Sequence, residues 1–421
     1  MLRAFLSGES DLDPAELAKA AGLPADPALV ARLIGQLQQA LTSSEGGPNW
    51  SLATDQARAL AARSAVPSTP AEQSALEQAF HVASLWLDET IDIAPLSAEP
   101  ALLTRAGWAE ATMPTWIQLA EPVANAIADA LTGALVEELP EDAAIGDPSS
   151  IMRGIGGTLF AMQLGAVVGQ LAGEVVSGGD IGIPLLDGER RQAALVPQNV
   201  DAFGTGLDVP IDEVRLYLAL RELAHARLFR QARWLRLHLV SQVRDSARDT
   251  RLNSERMREL AEDFDPRNPE GLRGAFERGE LILPKTAEQQ AALGRLETML
   301  ALVDGWVEVV TADAAARLPH RDALAETVRR RRASGGPAEQ ALATLVGLEL
   351  RPRRLREAAA MWRAVTDAVG AEARDALWAH PDLVPTEADI DDPAALVARL
   401  TGPAPEPDDL DRELGRILDG E

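Results

Sequence analysis

The stretch LYLALRELAHARLF, Leu216–Phe229, decides how this sequence is read. On a helix advancing about 100° per residue, Arg221 and His225 fall about 40° apart, Glu222 about 60° beyond His225, and Arg215 beside Glu222. The four charged or titratable side chains therefore share an arc of about 120°. The rest of Val214–Phe229 is Val, Leu, Ala, Tyr217 and Phe, apart from Arg227 on the opposite side. A helix apolar around most of its circumference is buried, and its charged stripe faces something polar. Glu222 has Leu218 and Ala226 four residues away and His225 three residues on. Its compensation is thus expected from His225, a distant Arg or a metal. A buried salt-bridge network satisfies that spacing as well as a catalytic site does.

Composition sets the frame. The chain has 421 residues, 46% hydrophobic and only 4% aromatic. Ala and Leu runs at helical spacing favour a mainly α fold with little or no β structure. Asp and Glu total 65 against 40 Lys and Arg, a formal charge of -25 that repels a phosphate backbone. Nucleic-acid binding is not expected. With no Cys, disulfides, thiolate nucleophiles and Cys-ligated metals are excluded. Any zinc site must draw on carboxylates and on His81, His225, His238, His320 and His380. The opening MLRAFLSGESDLDP has no long apolar core or cleavage site, so a cytoplasmic location is expected.

Helix starts are punctuated by Asp13-Pro14, Thr69-Pro70 and Thr286, each followed three residues on by an acid or amide. Three portions are expected: N-terminal helices over residues 1–118 with Trp50, Trp86, Trp108 and Trp116 as anchors, a helical core over 119–401, and an acidic tail over 402–421. GTLFAMQLGAVVGQLAGEVV places Gly157, Ala161, Gly165, Gly169 and Gly173 on one face. Gln163, Gln170 and Glu174 interrupt it, so it reads as a buried helix that admits another backbone closely, with no membrane insertion. DIGIPLL and AALVPQN are candidates for a little extended structure.

Arg221-Glu222-Leu223-Ala224-His225 is one letter from HExxH. In that motif two His one turn apart share a zinc, and the intervening Glu polarises the metal-bound water. Arg221 cannot ligate, because guanidinium stays protonated and offers only donors. The paired Glu-x-x-His of di-metal bundles is not met, since no second copy is present.

Read in order with NWSLA, LWLDE, QLGAVVGQLAGEV, LPKTAEQQAALGRLETMLALVDGWVEVV, RRRRASGGPAEQALATLVGLELRPRRLREAAAMW and LWAHPDLVPT, the chain resembles the bacterial, chiefly actinobacterial, zincin-like metallopeptidases. The resemblance covers nearly the whole chain except the tail. It implies a zincin-like multi-helical domain, zinc as cofactor, and a peptide or protein as substrate or ligand. By resemblance Glu222 is the general base and His225 a zinc ligand. Related members have His where this chain has Arg221, and Glu-Gly-His where it has Asp304-Gly305-Trp306. Asp304 offers a carboxylate as a further ligand; Trp306 cannot replace an imidazole.

Two functional readings follow: an impaired hydrolase that recruits ligands from beyond the helix, and an inactive relative that binds a peptide or protein. Apart from these, Arg329–Arg332 precede Gly335 and Gly336 at an expected helix start, where Arg331 and Arg332 would hold a carboxylate or phosphate. The plainer reading is Arg pairing with carboxylates and capping carbonyls. His380, before a Pro, is expected to cap carbonyls.

Overall fold

The computed structural model describes residues 48–136, 148–186, 192–248, 285–333, 337–348 and 354–402. The fold is mainly α. In chain order the elements are α1 (Trp50–Ala62), α2 (Pro70–Asp88), β1 (Ala101–Leu102), α3 (Arg105–Val136), α4 (Pro148–Leu171), β2 (Ala194–Leu195), α5 (Pro197–Gly204), α6 (Ile211–Gln231) and α7 (Arg233–Arg248). The second half holds α8 (Ala287–Ala314), α9 (Arg321–Ala333), α10 (Pro337–Val346), α11 (Leu355–Ala376), α12 (Glu387–Asp391) and α13 (Pro393–Thr401).

Local signals place the starts of α2 and α8. Thr69 and Thr286 each form a reciprocal capping box, with Glu72 and Gln289 returning to the cap N–H. The Asp13 start lies outside the described residues. Trp108 and Trp116 are fully buried, whereas Trp50 and Trp86 pack at the edge of the core. Residue 118 lies within α3, and one continuous apolar core joins the helices on both sides of it.

The small-residue face of α4 lies on α1. A Cβ on Gly165 would stand 2.6 Å from the Ala53 carbonyl oxygen, and one on Gly169 2.9 Å from Leu60 Cβ. Glycine there lets two backbones approach more closely than any larger residue permits. Among the described residues no helix is long and apolar enough to cross a membrane.

Among the described residues, extended structure is confined to a parallel pair, Ala101 with Ala194 and Leu102 with Leu195, plus an isolated antiparallel bridge from Ser177 to Leu195. The AALVPQN stretch thus supplies β2; DIGIPLL forms no strand, and β1 was not anticipated. This patch positions the site. The segment following α4 is pinned by Gly178 N–H to the Ala194 carbonyl at 2.9 Å, by Trp108 Nε1 to the Ser177 carbonyl at 3.1 Å, and by the Thr115 hydroxyl to the Leu185 carbonyl at 2.8 Å. Asn199 donates to the Ala172 and Val175 carbonyls, closing the end of α4. α6 runs beneath this segment, and α8 and α9 pack beside α6.

Candidate functional site

Four segments meet at one cleft. α6 supplies Arg221, Glu222 and His225; the segment after α4 supplies Ser177, Gly179 and Asp180; α8 supplies Asp304; the last turn of α9 supplies Arg331 and Arg332. Phe203, Leu218, Val307 and Val328 form its apolar walls. The free volume is about 30 Å³, room for two or three water-sized groups.

Glu222 is buried and finds its partners in the main chain. Oε1 accepts from Ala194 N–H at 2.8 Å, and Oε2 from Gly179 N–H at 3.0 Å. The sequence suggested His225, a distant Arg or a metal; the structure corrects this, since backbone amides carry no side-chain signature. Burial pushes the Glu222 carboxyl up to about 7, opposed by the Ala194 amide, the Ser177 hydroxyl and the Gly179 amide and reinforced by Asp180. A Cβ on Gly178 would stand 2.9 Å from Glu222 Oε1 and 2.4 Å from Leu186 Cδ1, so this approach needs glycine.

His225 is also buried, packed on Phe229 with ring centroids 4.6 Å apart. A Cβ on Gly179 would fall 2.3 Å from Nδ1, so the glycine is the floor on which the imidazole rests. Burial drives the imidazole down to about 4; Asp304 and the Gly182 backbone oppose this, while Arg332 and Arg221 add to it. His225 is therefore neutral at physiological pH, and its Nε2 is buried without a hydrogen-bond partner.

The cations differ in their commitments. Arg332 forms an ion pair with Asp304 and donates to the Asp180 carbonyl at 2.8 Å. Arg331 pairs with the Asp180 carboxylate at 3.0 Å and donates to the Glu174 carbonyl. Arg221 lines the cleft half-buried, close to His225 and Tyr217, and forms no ion pair with a carboxylate among the described residues. Burial raises the Tyr217 hydroxyl above its ordinary value, and the nearby Arg221 counters that rise.

Other sequence candidates lie elsewhere. Arg215 pairs with Asp201 at 3.1 Å and Asp212 at 3.3 Å, outside the cleft. Trp306 turns from the cleft and donates to Asp375 Oδ1 at 2.9 Å. Gly335 and Gly336 lie outside the described residues. His380 accepts from Asp382 N–H at 3.3 Å, capping the start of a short 3₁₀ turn rather than the carbonyls expected. His320 pairs with Glu213 at 3.0 Å.

A resident zinc requires three or four lone-pair donors converging on one point. Here His225 offers one nitrogen. Both Glu222 oxygens receive amide protons, Asp304 is bound to Arg332, and Arg221 presents a cation where a ligand would stand. Among the described residues no three His, Asp or Glu are gathered to hold a metal. This arrangement does not fit zinc.

Sequence reasoning missed Ser177, Gly178, Gly179, Asp180 and Ala194. The signal present was the SGGD of residues 177–180, whose adjacent glycines let Glu222 and His225 approach the backbone closely. It also missed that Arg331 and Arg332 share the cleft of Glu222.

No curated protein sequence matches the chain significantly. The fold is similar to the crystal structure of a presumed hydrolase with a novel fold from Chloroflexus aurantiacus, with a TM-score of 0.57 over 85% of this chain and 100% of that one, at 20% identity. Residues 49–397 match the profile of the zincin-like metallopeptidases. With that match spanning most of its length, and α6 carrying Glu222 and His225 into a cleft, the chain belongs to the zincin-like metallopeptidase family.

Proposed function

We propose that this member of the family does not hydrolyse peptides and uses its cleft, free of metal, to bind a peptide or protein segment. One observation carries the reading: both oxygens of Glu222 are held by main-chain amides, one residue after an Arg that occupies the position of a zinc-binding His. A carboxylate tied to two fixed N–H groups is poorly placed to turn toward a water, and the guanidinium repels a cation.

A second reading keeps hydrolysis. The Glu222 carboxyl, at about 7, both gives and takes a proton near neutrality, as a general acid or base should. Metal content separates the two. Untagged full-length protein, prepared without chelators, is assayed by plasma mass spectrometry beside Arg221→His and His225→Ala, with peptide cleavage followed by chromatography. The expected result is no stoichiometric zinc and no cleavage in the unmodified protein. Near-stoichiometric zinc that disappears in His225→Ala, with cleavage, would favour hydrolysis.

A further inference from the structure

We propose that the cleft takes a carboxylate of a peptide ligand, paired with the guanidinium of Arg221. This rests on the reading of the cleft as a peptide-binding site and names the group that enters it.

Three cations line the cleft, and two are already answered: Arg331 by Asp180 and Arg332 by Asp304. Arg221 has no such carboxylate among the described residues, although Glu222 is its neighbour in sequence; the group it meets is the neutral Tyr217 hydroxyl, which leaves its charge without a counter-ion. Glu222 does not answer it because its oxygens are taken by Ala194 and Gly179. A second, independent sign of a missing ligand stands one helical turn away. His225 is 6% exposed, lines the same cleft, and keeps Nε2 without a partner. Buried polar atoms are normally satisfied, so an orphan beside a cation without a carboxylate partner marks a place for a polar group.

Charge and size select that group. One uncompensated guanidinium matches a monoanion, and its planar fork suits a carboxylate held through two parallel N–H donations. A free volume of about 30 Å³ admits a carboxylate and little more. The apolar walls of Phe203, Leu218, Val307 and Val328 lower the local dielectric and strengthen such a pair. A dianionic phosphate fits less well, because Asp180, Asp304 and Glu222 all stand nearby.

The carboxylate is either a peptide C-terminus or an acidic side chain, and calorimetric titration of the full-length protein distinguishes them. The probes are N-acetyl-tetra-alanine as free acid, the same peptide as C-terminal amide, an amidated peptide with one internal Glu, and inorganic phosphate. At least one carboxylate peptide should bind about tenfold or more tighter than the neutral amide, a difference of about 1.4 kcal/mol. Preference for the free acid assigns the C-terminus, and preference for the Glu peptide the side chain. Arg221→Gln should abolish the preference, while Arg221→Lys, which keeps charge without the fork, should retain part of it. Thermal melting confirms that both variants fold. Equal binding of the amide would overturn the carboxylate assignment and leave peptide binding standing. A preference surviving in Arg221→Gln, phosphate binding tighter than either acid, or no binding by any probe would also overturn it. Cleavage of the peptides would instead remove the reading on which it rests.

Discussion

Two buried polar clusters of this molecule show opposite logic. Around Arg374 and Asp375, behind the kink at Gly370 in α11, every strong partner is supplied. Asp375 accepts from Arg374 Nε at 2.7 Å, Arg374 Nη2 at 3.0 Å, Trp306 Nε1 at 2.9 Å and Asp92 N–H at 2.9 Å. Arg374 also reaches the Thr90 carbonyl at 3.1 Å, so residues from α8, α11 and the segment after α2 are tied at one point. The cleft at Glu222 satisfies its carboxylates but leaves one imidazole nitrogen without a hydrogen-bond partner and the Arg221 guanidinium beside the neutral Tyr217 hydroxyl rather than a carboxylate. The first cluster is closed and structural; the second lines a cleft. Burial of charge alone does not identify a functional site, whereas incomplete pairing in a cleft points to one.

The contrast is broken most severely at its closed end. Arg374→Met should leave Asp375 buried without its counter-ion and destabilise the protein by about 3–5 kcal/mol, measured by urea unfolding at neutral pH. A loss below about 1 kcal/mol would show that the cluster is not closed in solution.

The next effect separates the open cluster by pH. The folded-state imidazole of His225 lies at about 4 against an ordinary 6.5, so the unfolded chain takes up a proton that the fold refuses as pH falls. This lowers stability between about 6.5 and 4. His225→Phe removes that cost, and its stability relative to the parent should rise by about 3 kcal/mol on going from pH 7 to 4. Glu222 runs the other way. Its carboxyl is raised from 4.5 to about 7, so its contribution weakens as pH rises through that interval. In the parent the two slopes offset between about 4.5 and 6.5, and His225→Phe should expose the falling slope of Glu222. Unfolding curves for both proteins across this range check the sign; a parallel pair would refute it.

The smallest effect is expected at the open end. Arg221→Gln removes a half-buried cation with no carboxylate partner and should change stability by less than about 1 kcal/mol. A loss approaching that of Arg374→Met would reveal a structural pairing and erase the distinction between the clusters.

Much of the architecture was legible in the residues. Helical spacing and scarce aromatics pointed to a mainly α fold, and the capping boxes at Thr69 and Thr286 mark real helix starts. The glycine face of α4 announced a close helix contact, although only the tertiary structure identified α1 as the neighbour. The charged stripe on α6 was visible as well, because helical periodicity is a local property. What surrounds the stripe was not. Its acid is held by amides of Gly179 and Ala194, contributed from 43 and 28 residues away, and an amide is the same at every position except Pro. Arg331 and Arg332 reach Asp180 and Asp304 across 151 and 28 residues, and nothing in their spacing selects those carboxylates from the many available. By itself the sequence determined the helices and the placement of Arg221, Glu222 and His225 on one face. Only the tertiary structure decided which of those groups are satisfied, because pairing depends on which backbone and side-chain atoms packing brings within about 3 Å.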